Sequence, residues 1–112
     1  MANRPITIQG INADNSLDLS DHGNTIANPG DTVTWHVGHN SGVASITSIL
    51  NKANSPNVFN PLPGPLAGSS NWQGTIDPSI TSETEEDYSI GYTKTVGGSF
   101  VYDPKIQVNP SR

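Results

Sequence analysis

The side chains with the widest chemical range in this chain are its three histidines, two of them close together: His36 and His39 form an H-x2-H pair, with His22 upstream. Neutral imidazoles at short spacing are ligands for Zn or Cu(II). His36 falls on a stretch of alternating hydrophobicity, and residues three apart on a strand point to opposite faces. The pair can meet one ion only if Gly38 and His39 turn away into a loop, with His22 as a third ligand. The plainer alternative places His36 on a half-exposed polar face and His39 in solvent, and the expectation adopted is no metal and no cofactor. Asp14, Asp18 and Asp21 lie in one Asn/Ser/Gly-rich stretch and carry oxygens suited to calcium. Their spacing fits no EF-hand loop, which leaves solvated turn residues.

Glu83, Glu85, Glu86 and Asp87 form an acidic run. A paired-carboxylate hydrolase needs two acids facing each other across a cleft, and consecutive residues on one connection do not supply that. The run reads as a solubilising face that also discourages edge-to-edge sheet pairing. No serine sits in a G-x-S-x-G setting. With no cysteine there is no thiolate nucleophile, no disulfide and no thiolate metal site. The chain is therefore expected not to be an enzyme.

Two segments could bind through their surfaces. Trp72 is flanked by Asn71 and Gln73, the pattern of an aromatic platform that stacks on a sugar while amides bond its hydroxyls. The competing reading, which a chain this poor in apolar residues favours, is a second core tryptophan. Phe59 to Leu66 is rigid and proline-rich, with Phe59, Leu62 and Leu66 as its apolar side chains and no P-x-x-P for an SH3 groove. It either docks on a protein partner at low entropic cost or folds down over one end of the domain.

Composition limits the rest. Hydrophobic residues are 32% and charged residues 13% of 112, with 11 Gly and 9 Pro, which suits one domain of short strands and hydrogen-bonded turns spanning 1–112. A net charge of −5 and five scattered basic residues leave no stripe for phosphates, so no nucleic acid and no anionic membrane is expected as partner. No apolar run approaches a membrane span, and no signal peptide is recognisable. The expectation is a soluble chain, cytoplasmic as written and secreted if a signal has been removed.

The apolar pattern has period two in most segments. Pro5 to Gln9, Leu17 to Leu19, Ile26-Ala27, Thr32 to Val37, Trp72 to Ile76, Tyr88 to Tyr92 and Ser99 to Val108 read as strand. Val43 to Leu50 reads as strand or a short irregular helix, Asn51 to Ser70 as a long loop, and Asp77 to Asp87 as a polar connection. Seven or eight short strands with regular turns imply an all-β, antiparallel sandwich. Trp35 and Tyr88 belong to its core by register.

Gly30-Asp31-Thr32-Val33-Thr34-Trp35 resembles the strand that precedes the first ligand loop of cupredoxins, the plastocyanin and azurin superfamily. Tyr88-Ser89-Ile90-Gly91-Tyr92, followed by Asp103-Pro104-Lys105-Ile106-Gln107-Val108, is similar to that family's closing hairpin. The resemblance implies a Greek-key β-sandwich. It also implies positions for the copper ligands, and these are not filled. Ser45 stands where the first His is expected, Tyr92 stands in the place of the Cys, and no His or Met follows His39. A blue-copper site needs a Cys thiolate and two imidazoles. The resemblance thus points to the scaffold in another use. The leading expectation is a copper-free binding or structural module acting by protein contact or self-association; the alternatives are a carbohydrate-binding module using Asn71, Trp72 and Gln73, and a His-based metal binder.

Overall fold

The computed structural model describes residues 3–110. Ten strands follow one another: β1 (Asn3–Ile11), β2 (Leu17–Leu19), β3 (Asn24–Ala27), β4 (Thr32–Val37), β5 (Val43–Asn51), β6 (Gly64–Pro65), β7 (Trp72–Thr75), β8 (Thr84–Lys94), β9 (Ser99–Tyr102) and β10 (Lys105–Val108). No helix occurs among the described residues, and none is long and apolar enough to cross a membrane. One sheet has the order β2-β1-β4-β7-β6 and the other β3-β10-β8-β5, with β9 also on β8. Ile6, Ile8, Val33 and Trp35 of the first sheet share one buried cluster with Ile46, Ile49, Tyr88, Ile90, Tyr92, Ile106 and Val108 of the second. That is an all-β arrangement compatible with a β-sandwich.

The sheets are mixed, which corrects the antiparallel expectation. β1 runs parallel to β4, from Asn3 opposite Thr32 to Ile8 opposite Val37, and β3 runs parallel to β10. The cause is the route of the chain between them. β2 pairs with β1 in the first sheet and β3 with β10 in the second, so one short run crosses between sheets at the Ser20–Gly23 turn. β4 then re-enters the first sheet on the other side of β1 and parallel to it, a pairing that needs a crossover rather than a hairpin connection. Period two is the same in both orientations, so the residue pattern carries no sign of it. The count is ten rather than seven or eight because Val43–Asn51 is a strand and because of two further pieces: the two-residue β6 and a break between β9 and β10 at Asp103-Pro104.

Trp35 is fully buried, and its indole Nε1–H donates across the sheets to the Tyr88 hydroxyl at 3.2 Å. Burial holds that phenol far above its ordinary pKa, so it stays neutral and available as an acceptor. The entry to β4 is fixed by a second polar lock. Asn28-Pro29-Gly30-Asp31 closes with Asp31 N–H on the Asn28 carbonyl at 3.1 Å, and Gly30 has φ 85°. Pro then Gly in the central positions, the second with positive φ, is a type II turn. Asp31 is buried and accepts from Arg4 Nε at 2.8 Å and from the Asn28 amide at 2.9 Å. Arg4 Nη2 also donates to Asn28 Oδ1 at 2.8 Å, so the guanidinium clamps the start of β1 to the turn before β4.

β5 explains its own ambiguity in sequence. Its pairing with β8 shifts register between Val43 and Ser45 and again between Ile46 and Ser48. Two irregularities of this kind turn period two into period three: Val43, Ile46 and Ile49 are buried while Ala44, Thr47 and Leu50 are exposed. A spacing of three is what a helix face shows over one turn. Gly91 lies opposite the second shift, where a Cβ would come within 2.6 Å of Ser48 Oγ.

Asp31→Ala strips the acceptor from Arg4 and from the Asn28 amide at once. The expected loss is about 2–3 kcal/mol, seen as a lower urea midpoint with an unchanged denaturant slope. A loss below about 0.5 kcal/mol, the range of an ordinary surface substitution, would show that the clamp is not structural.

Candidate functional site

β8 begins at Thr84, inside what the residue pattern assigns to a polar connection, and so the acidic run does not stay in solvent. Glu85 and Asp87 are exposed, but Glu86 is only 2% exposed, on the same face as Tyr88, Ile90 and Tyr92. Its carboxylate Oε1 accepts the Val58 N–H at 2.7 Å, and the Asn51 side chain supplies a further hydrogen bond. Burial outweighs both bonds and pushes the carboxyl pKa up from 4.5 to about 7. The reading of this run as a wholly solvated face fails at Glu86. The signal was present: stepping back by two from Tyr92, Ile90 and Tyr88 lands on residue 86.

Val58 is where the irregular stretch after β5 meets both sheets. Its N–H goes to Glu86 on β8, and its carbonyl accepts from the Asp77 N–H at 2.8 Å, just past β7. Phe59, next in the chain, is buried with its ring 5.7 Å from Trp35 and forms a bridge with Ile76. Phe59 therefore folds down into the core and is not a docking residue. Leu66 is half-buried, its N–H bonded to the Asn71 carbonyl at 2.8 Å. Leu62 alone of the three stays out, 64% exposed.

Leu62 stands over a groove of about 550 Å³ lined by Ile49, Leu50 and Asn51 of β5, Asn57, Leu62 and Pro63 of the loop, and Glu86. Leu50 is 62% exposed, so two large exposed apolar side chains line one depression together with a buried carboxyl and two amides. Among the exposed large apolar residues, Ile26, Val96 and Val101 do not line it.

The other sequence-derived candidates lie elsewhere. Trp72 is half-buried against the core; Asn71 accepts from the Val37 N–H at 3.2 Å and lies 3.2 Å from His36 Nδ1, and Gln73 donates to Thr34 Oγ1 at 3.1 Å. Both amides beside the indole are thus engaged with β4. His22 is exposed in the β2–β3 turn with φ 57°, His36 is half-buried on β4, and His39 is exposed in the following loop. Among the described residues no three His, Cys, Asp or Glu side chains are grouped to hold a metal ion. Asp14 bonds Ser16 and Asp21 bonds Gly23 and Thr25, each within its own turn. Ser16 keeps the Asp14 carboxyl below its usual range.

The two positions that the cupredoxin resemblance assigns to copper ligands come to adjacent strands. Ser45 Oγ and Thr93 Oγ1 are 2.9 Å apart, and Tyr92, opposite Ile46, is buried with its hydroxyl donating to the Asn15 carbonyl. Burial and the nearby Asp14 hold the Tyr92 phenol above its ordinary pKa. Its ring lies 6.1 Å from Phe100, over which the Lys94 ammonium sits at 4.6 Å. Hydroxyls of this kind, bonded to each other and to main chain, do not fit a blue-copper ion, which needs thiolate and imidazole.

Glu86 makes stability depend on pH in a stated direction. The folded protein holds its proton up to about 7 and the unfolded chain only to 4.5, so the folded state is favoured below 4.5 and loses that advantage as pH rises through 7. The full loss is about 3 kcal/mol. Glu86→Gln keeps an acceptor for Val58 without the titration, so denaturation at pH 4.5 and 8 should show a smaller fall than in the unsubstituted chain. Parallel pH profiles for the two proteins would remove Glu86 as the cause.

No protein-family model matches this chain, and no curated protein does.

Proposed function

We propose that this chain is a copper-free, cupredoxin-like Greek-key module without catalytic activity, which works by protein contact or self-association through the groove between β5 and the Asn57–Pro63 loop. The observation that supports the reading is the pair Leu50 and Leu62, each about three-fifths exposed, both lining one depression. Exposed leucines scattered singly carry no meaning, but two that share a concave site offer apolar area a partner can cover. Glu86, Asn51 and Asn57 supply the few polar groups that orient what enters. The scaffold half of the proposal draws on the two cupredoxin-like segments, which form β4, the Tyr88–Tyr92 part of β8, and β10. The absence of a thiolate and imidazole set at the corresponding positions supports a use other than copper electron transfer.

A library of displayed random peptides, selected on the immobilised protein, tests the groove as a protein-contact site. Enrichment of extended peptides with an apolar residue is expected, and Leu62→Asp should weaken their binding about tenfold, the scale of 1.4 kcal/mol. Leu62 is largely in solvent, so the variant folds and the comparison reads binding alone. Selections that enrich nothing, or peptides indifferent to Leu62→Asp, would sink the proposal.

A further inference from the structure

Five strands stand at sheet edges among the described residues, and four of them are short: β2 has three residues, β3 four, β6 two and β9 four. The fifth is β5, nine residues paired with β8 on one side and with no strand on the other among the described residues. Its first half carries the two register shifts, which disrupt further pairing. From Ser48 to Asn51 the ladder is regular, opposite Gly91 to Tyr88. Beyond it the Lys52 N–H still reaches the Asp87 carbonyl at 3.0 Å. Antiparallel strands alternate which neighbour their main-chain groups face. With Lys52 turned toward β8, Leu50 faces β8 as well, and the N–H and C=O groups of Ile49 and Asn51 face the free edge.

We infer that this free edge of β5 pairs antiparallel with β5 of a second copy of the chain, in the register that sets Leu50 opposite Leu50 on a two-fold axis. The inference rests on the reading of this face as a protein-contact surface and names its partner. Free main-chain groups spaced along a strand are satisfied together only by another extended backbone, which excludes a helix or a compact small molecule. Pairing Ile49 with Asn51 of the copy, and Asn51 with its Ile49, satisfies both sets reciprocally, as a two-fold contact requires. In that register Leu50 is a non-hydrogen-bonded pair, the type whose side chains lie closest. Its side chain, 62% exposed in the single chain, gains an apolar neighbour. Ser48 to Asn51 carries no charge, so two copies of a chain with net charge −5 can meet there without opposing like charges across the ladder. The groove beside Leu50 lies at the same contact.

The absence of cysteine makes the test clean. Leu50→Cys places one thiol at the proposed axis, where Cα atoms about 4.5 Å apart fall within disulfide reach. Val96→Cys, on a residue 88% exposed in the β8–β9 turn, is the control. In a glutathione redox buffer, Leu50→Cys should form a covalent dimer that Val96→Cys does not. Light scattering on the unsubstituted protein should show mass rising toward a dimer between micromolar and millimolar concentration. Leu50→Lys and Leu50→Glu should each remain monomeric, and an equal mixture of the two should regain the dimer. A monomer at every concentration, equal cross-linking of the two cysteine variants, or a dimer unaffected by Leu50→Lys would overturn the inference. Peptides that still require Leu62 would in that event leave the groove standing and the edge pairing refuted; their absence as well would remove both.

Discussion

A single buried carboxyl joins the regular and irregular parts of this molecule. Between β5 and β7 the chain runs for twenty residues with only the two-residue β6 as regular structure, rich in proline and poor in ladder bonds. Such a segment has few ways to hold a position. Val58 provides one: its N–H is bound by Glu86 of the second sheet and its carbonyl by Asp77 beyond the end of the first. The Val58 peptide is therefore a strut between sheets, and Phe59 reaches Trp35 because the strut fixes where the chain enters the core. The carboxyl is costly to bury in charged form, and the cost appears as a pKa raised to about 7. Where the loop lies decides where Leu62 stands, and with it whether the groove beside Leu50 exists.

What could be read from the residues followed from how closely side-chain period tracks burial. Trp35, Tyr88 and Ile90 are in the core as their register requires, although Thr34 and Gly91, on the other side-chain positions of the same strands, are buried as well. β5 did not yield to the same logic because its register shifts convert alternation into a spacing of three. Parallel pairing of β1 with β4 left no mark, since a strand's inward face is the same whichever way its neighbour runs. Glu86 was masked by its company: three neighbouring acids belong to solvent, and charge alone made the fourth look like one of them. The Phe59–Leu66 segment divided between its two readings. Phe59 is core, Leu66 is half-buried and Leu62 is surface, a division set by main-chain bonds from Val58 to Asp77, Asn60 to Thr75 and Leu66 to Asn71 that the residue pattern does not reveal.

Around Ser45 and Tyr92 the polar side-chain groups are already engaged with one another and with main chain. A phenol that donates to Asn15 and packs on Phe100, beside a serine and threonine hydroxyl pair, satisfies its own polar groups. The β5 side differs in kind. There the chain leaves apolar surface, a concavity and a stretch of regular strand edge together, and the proposed contact is argued from these three features.

The role of Glu86 can be measured directly by following its side-chain carboxyl carbon and the Val58 amide through a pH titration by NMR. The carboxyl should titrate at about 7, and the Val58 amide should move with the same midpoint because it donates to that oxygen. A carboxyl titrating near 4.5 with a Val58 amide that does not respond would contradict the burial of Glu86 and, with it, the strut that positions the groove.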